Sequence, residues 1–84
     1  MKFNNPPFAT GDNVRNLRLL KGYKQSTAGK KLDMSQQAYS KIESSAGISK
    51  EKTLEIIKAF ECRLDEFKII LKFTPPPLII NNIN

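Results

Sequence analysis

Apolar positions along this chain recur at helical spacing rather than strand spacing. Between residues 10 and 73, Gly, Asp and Ser punctuation divides the pattern into five short segments. The first runs from about Asp12 to Lys21. Val14, Leu17 and Leu20, with Leu19 beside them, give an i, i+3 stripe expected to be buried, and Gly22 follows as a C-terminal stop. The second, about Gln25 to Leu32, is weakly patterned, with only Ala28 and Leu32 at i, i+4 and Gly29 inside it. The third opens with Ser35 as an N-cap and runs to Glu43 or Ser44. The fourth begins after Ser49 and is expected to bury Leu54 and Ile57, with Ile56 and Phe60 beside them. The fifth, about Asp65 to Lys72, is expected to bury Phe67, Ile70 and Leu71. The expected fold is all-α: a domain over residues 10–73, an extended arm over 1–9 with Pro6 and Pro7, and a Pro-rich apolar tail over 74–84. In that tail Pro75, Pro76 and Pro77 remove three backbone donors and favour extended backbone.

The third segment carries the most chemistry. With Gln36 at 0° and about 100° per residue, Gln36, Gln37, Ser40, Lys41 and Ser44 fall within roughly 0–140°. Ala38, Tyr39 and Ile42 fall within roughly 200–300° and form an apolar anchor, with Glu43 at its boundary. Amides, hydroxyls and a cation suit base edges: Gln pairs with adenine N6/N7, Lys donates to guanine O6/N7, and Ser bonds either. Taken alone, such a strip is equally at home on a solvent-facing helix. Context favours recognition, because a short helix precedes it across a tight turn. That is the helix-turn-helix arrangement, whose second helix enters the major groove.

Composition narrows the classes. The chain has 84 residues, enough for one small domain, and carries a net charge of +6 with no His and one Cys. One Cys forms no internal disulfide, and without His neither a Cys/His zinc site nor a His-based triad exists. No enzyme activity, cofactor, metal or small-molecule substrate is expected. Ala28-Gly29-Lys30 fails as a phosphate loop, since Lys24 and Lys31 stand where Gly and Ser/Thr are needed. Cys62 reads as a buried, inert thiol. The aliphatic runs 69–71 and 78–80 fall far short of a membrane span, and no secretory leader is recognisable, so a cytoplasmic protein is expected.

The charge is unevenly distributed. Lys2, Arg15, Arg18 and Lys21 face only Asp12 over residues 1–23, and six Lys face Asp33, Glu43 and Glu51 over 24–52. Residues 53–72 are balanced and 73–84 uncharged. A basic half suits a polyanion, nucleic acid being the usual one, although Lys also simply solubilises helices.

Residues 11–67 resemble the lambda-repressor-like family, the Cro/cI or XRE type of helix-turn-helix. The resemblance rests on Arg18, the Lys21-Gly22-Tyr23 step, Gln25, the run from Met34 to Glu43, Thr53-Leu54, and Leu64 to Phe67. It implies a compact five-helix DNA-binding domain with the helix-turn-helix at helices two and three. It further implies a sequence-specific regulator, a repressor that binds a pseudo-palindromic operator in double-stranded DNA as a homodimer. Gln36, Gln37, Ser40 and Lys41 fall at the family's base-reading positions. Gln25 falls where a Gln bonds a phosphate and braces the first amide of the recognition helix, here Gln36. Lys24, Ser35, Ser44, Lys50 and Lys52 join it as candidate phosphate contacts. Arg18 and Glu43 match a structural ion pair.

Departures are informative. Asp33 replaces the turn Gly and tolerates the left-handed conformation. Gly29 stands in for Ala where the helices approach, fitting sterically at a cost of about 1 kcal/mol in helix propensity. Lys24 and Arg63 replace capping hydroxyls, so both helix starts are expected to be less well capped. The alternative function is an antitoxin or protein-interaction adaptor whose tail, through Leu78, Ile79, Ile80 and Ile83, binds a partner protein, with DNA binding secondary.

Overall fold

A computed structural model describes residues 7–73, with the side chain of Phe73 excepted. The tail 74–84 and most of the arm expected over 1–9 lie outside the described residues. Five helices follow one another: α1 (Gly11–Lys21), α2 (Gln25–Lys31), α3 (Gln36–Glu43), α4 (Lys50–Ala59) and α5 (Leu64–Phe73). Among the described residues the only extended pairing is an isolated antiparallel bridge between Ala9 and Ile48. It ties the chain ahead of α1 to the α3–α4 loop.

Local chemistry sets the helix ends. Thr10 Oγ1 accepts from the Asn13 amide at 3.2 Å, while Asn13 Oδ1 accepts from the Thr10 amide at 2.8 Å. This reciprocal capping box starts α1 one residue earlier than the pattern suggested, and it lets Asn13 be buried with its polar atoms satisfied. Ser35 and Ser49 cap α3 and α4 by accepting from the amides of Ala38 and Lys52. Lys24 caps α2 with no side-chain bond. At α5 the missing hydroxyl is partly replaced, because the Arg63 amide donates to Glu66 Oε1 at 3.0 Å.

Three helices stop in the same way. After α1, the Tyr23 amide reaches back to Arg18 O and the Gly22 amide to Leu19 O. After α2, Met34 and Asp33 repeat this toward Gly29 and Lys30, and after α4, Cys62 and Glu61 do so toward Ile57 and Lys58. Each stop needs a residue at positive φ. Gly22 supplies it freely at 79°, whereas Asp33 at 61° and Glu61 at 58° bear a side-chain penalty.

The core lies between the helices. Leu17, Tyr39, Ile56, Phe60 and Phe67 are fully buried, and each such side chain contributes on the order of 1.5–3 kcal/mol. Tyr23 stands edge-on to Phe60 with centroids 5.4 Å apart, and Lys31 Nζ lies 4.8 Å above the Tyr23 ring.

Four expected core positions face outward instead. Leu20 is 72% and Leu19 57% exposed; Leu20 points within about 20° of the buried Asn13 seven residues earlier, but the last turn of α1 is left uncovered there. Leu54 is 39% exposed, and Thr53 takes the inward place with its hydroxyl donating to Ser49 O at 2.7 Å. The buried stripe of α4 is therefore Thr53, Ile56, Ile57 and Phe60, an i, i+3, i+4, i+7 set. Ala38 is exposed, since only Tyr39 and Ile42 of its arc turn toward the core.

Two glycines are fixed by close approach. A Cβ at Gly11 would collide with the carbonyl oxygens of Glu43 and Ile42, so the start of α1 abuts the end of α3 backbone to backbone. At Gly29 a Cβ would lie 2.9 Å from Met34 O and 3.1 Å from Ser35 O, tighter than the steric fit expected there. The Met34 amide donates to Gly29 O across this turn at 2.9 Å, drawing the two backbones together.

Gly11→Ala is expected to lower unfolding stability by about 1–3 kcal/mol, because backbone rather than a pliable side chain must move. Chemical denaturation with unchanged m-value would register it. Glu61→Gly is expected to stabilise by about 1 kcal/mol by relieving the left-handed strain at an exposed helix stop, seen as a higher denaturation midpoint.

Candidate nucleic-acid interface

The turn over 32–35 aims α3. Because α2 ends at Lys31 and Ser35 already caps α3, only Leu32, Asp33 and Met34 lie between. Leu32 is buried and anchors the turn to the core. Tyr39 and Ile42 hold the inner side of α3, leaving Gln36, Gln37 and Lys41 exposed and Ser40 half-buried. These four side chains, together with Gln25 at the first position of α2, line one shallow depression. Its chemistry is amide, hydroxyl and one ammonium, with several donors and acceptors in reach of a single approaching edge.

The remaining candidates do not line this depression. Ser35 and Ser44 mark the two ends of α3. The Ser35 hydroxyl accepts from the Ala38 amide, and the Ser44 hydroxyl donates to Ser40 O at 3.2 Å. Lys24 is exposed at the start of α2. Lys50 and Lys52 lie in the first turn of α4, with Lys52 Nζ 3.2 Å from Glu55 Oε1, an exposed pair of little energetic weight.

Behind the strip sits a charged cluster. Arg18 Nε lies 2.6 Å from Glu43 Oε2 and Arg18 Nη2 lies 3.2 Å from Oε1, a bidentate pair whose side chains are 11% and 5% exposed. Arg18 Nη1 also donates to Tyr23 O at 3.0 Å. Gln25 Nε2 donates to Glu43 Oε1 at 3.0 Å. The family resemblance implied a brace from Gln25 to the start of α3, but in this structure Gln25 grips the end of it. The bond to Glu43 uses the side-chain nitrogen of Gln25, whereas a brace to the Gln36 amide would use its oxygen. No sequence periodicity signals this contact, because it depends on how α2 crosses α3.

Electrostatics follow from the geometry. Burial works against the Glu43 charge, yet the bonds it accepts from Arg18 and Gln25 outweigh that and hold its pKa below the ordinary 4.5. The Tyr39 hydroxyl is buried close to Glu43 and Arg18. Burial, reinforced by the nearby Glu43 carboxylate, pushes it far up, so the phenol stays neutral. Tyr39 packs against Phe60 and contributes to the core rather than to the strip. Burial likewise pushes the Cys62 thiol up, in keeping with an unreactive sulfur.

Among the described residues no His, Cys, Asp and Glu cluster could hold a metal, and no helix is long and apolar enough to cross a membrane. A family model described as helix-turn-helix matches residues 14–67, which takes in most of α1, all of α2 to α4 and the first turn of α5. No curated protein and no solved structure matches the chain.

The Glu43 cluster predicts a pH dependence. Its carboxylate has a depressed folded-state pKa, so the stability it contributes is present above about pH 4.5 and is lost as pH falls through the folded value. Glu43→Gln is expected to cost about 3–5 kcal/mol at neutral pH by stranding Arg18, and to flatten the stability profile below pH 4.5. Urea titrations of both proteins across that range measure the two effects together.

Proposed function

Since the chain belongs to the Cro/cI-type helix-turn-helix family of DNA-binding transcription regulators, we propose that it acts as a sequence-specific repressor binding a pseudo-palindromic operator as a homodimer. The observation that carries this reading is the depression shared by Gln25, Gln36, Gln37, Ser40 and Lys41 on the outer side of a two-point-anchored α3. Inserted N-terminus first into a major groove, α3 offers Gln36 and Gln37 to the deepest bases, with Ser40 and Lys41 one turn further along. The roles divide accordingly. Gln36, Gln37, Ser40 and Lys41 read base edges.

Phosphates are held from both sides of the strip. Lys24 and Gln25 act at the start of α2, Ser35 and Ser44 at the ends of α3, and Lys50 and Lys52 at the start of α4. The first-turn amides of α4 add to this site, since a helix N-terminus carries partial positive charge. The basic excess over residues 1–52 supplies a sequence-independent attraction, and the Arg18–Glu43 pair keeps α3 in place without reading sequence. Two such helices on a dimer fit successive major grooves about 34 Å apart, which is why the operator is expected to be two-fold symmetric.

Selection of bound sequences from a random DNA pool tests the reading directly, and enrichment of one palindrome is the expected result. On that operator, Gln37→Ala or Lys41→Ala should weaken binding by about 1–3 kcal/mol and broaden the accepted sequence. Lys24→Ala should weaken matched and mismatched DNA alike and lower the salt slope by about one. No enrichment, together with a heterologous protein co-purifying through residues 74–84, would favour the antitoxin or adaptor reading instead.

A further inference from the structure

Away from the strip, the fold leaves an apolar groove of about 360 Å³ between α1 and α5. Leu20, Cys62, Ile69 and Ile70 line it, with Lys21 and Glu66 as its charged members. Leu20 and Ile69 are 72% and 56% exposed, the most exposed large apolar side chains among the described residues apart from Leu19. A contiguous apolar surface at this position calls for a cover.

Chain length and composition point to one occupant. Thr74–Asn84 follows directly on the last residue of α5, carries no charge, and contains Leu78, Ile79, Ile80 and Ile83. The path from Phe73 to Leu78 spans at most about 17 Å when extended. The ten residues of α5 rise about 15 Å, so a chain returning antiparallel to the helix reaches every level of the groove. Pro75, Pro76 and Pro77 favour an extended stretch of about 9 Å, and on an antiparallel return that length would bring Leu78 level with Glu66, which lines the groove with Cys62. A tether this short gives an effective concentration in the millimolar range, well above that of a second molecule in dilute solution.

We propose that the segment Thr74–Asn84 folds back onto its own domain and occupies the α1–α5 groove through Leu78, Ile79 and Ile80, covering Leu20, Ile69 and Cys62. The segment thereby covers the apolar face in the single chain and leaves open the strip of Gln36, Gln37, Ser40 and Lys41, which shares no residue with the groove.

Cys62 reports on the groove, because it lines it and is the one cysteine of the chain. In the full chain, Ile79→Asp combined with Ile80→Asp should speed iodoacetamide alkylation of Cys62 about tenfold at unchanged helical circular dichroism. Ile69→Asp, altering the groove rather than the segment, should give the same acceleration. Contacts between the Leu78 and Ile69 methyl groups should also be seen by NMR in the unsubstituted chain and persist on dilution. Equal alkylation rates, or absence of those methyl contacts, overturn the proposal. So does protection of Cys62 that fades on dilution, which would assign the groove to a second copy.

Discussion

The Glu43 carboxylate is the constraint on which the arrangement of the first three helices depends. It sits at the last position of α3 and accepts from Arg18 of α1 and Gln25 of α2, while Arg18 also ties down the carbonyl of Tyr23 between those helices. Burying an ion pair contributes little net stability, because desolvation offsets most of the attraction. Its value here is geometric: a bidentate guanidinium accepts only one orientation of the carboxylate. The backbone of Gly11 pressed against Glu43 O and the bond from the Gly11 amide to Ser45 O fix the same helix end by contact. With that end held and the Leu32–Ser35 turn holding the other, α3 has no freedom to roll, and its polar strip keeps one outward face.

Such clamping is needed because the central helices are too short to stand alone. With seven and eight residues, α2 and α3 lie below the length at which an isolated helix is stable in water. The chain compensates at the ends. Capping side chains serve the starts of α1, α3 and α4, and three left-handed stops tie off the ends of α1, α2 and α4. Two of those stops use Asp33 and Glu61, so some stability is given up to end the helices abruptly. Abrupt ends are what allow α2 and α3 to approach across Gly29 without a longer linker.

Charge and apolar surface are segregated in the same molecule. The basic excess lies in the half bearing α1 to α3, whereas α5, from the charge-balanced stretch 53–72, lines the apolar groove. A polyanion and an apolar cover can therefore be accommodated on separate surfaces. The exposed leucines of α1 belong to this division, since Leu20 faces the groove where the helical pattern suggested core.

Much of this was legible in the residues. Helix count and approximate boundaries follow from periodicity with Gly22, Ser35 and Ser49 as punctuation. The split of α3 into a polar strip and an anchor of Tyr39 and Ile42 follows from 3.6-residue geometry, because those properties are local. Leu19, Leu20, Leu54 and Ala38 turn outward against the pattern because a helical stripe spans more than 100°, and only the neighbouring helix decides which part of it is covered. The left-handed Glu61 was equally hidden, since Glu carries no turn signal and adopts that conformation only because the bonds back to Ile57 and Lys58 require it. Gln25 makes the same point at the candidate interface. Sequence determined which residue stands there, but its bond to Glu43 came from the crossing of α2 over α3, which brings together groups eighteen positions apart. Local spacing fixes what a helix can present, and packing fixes what it does present.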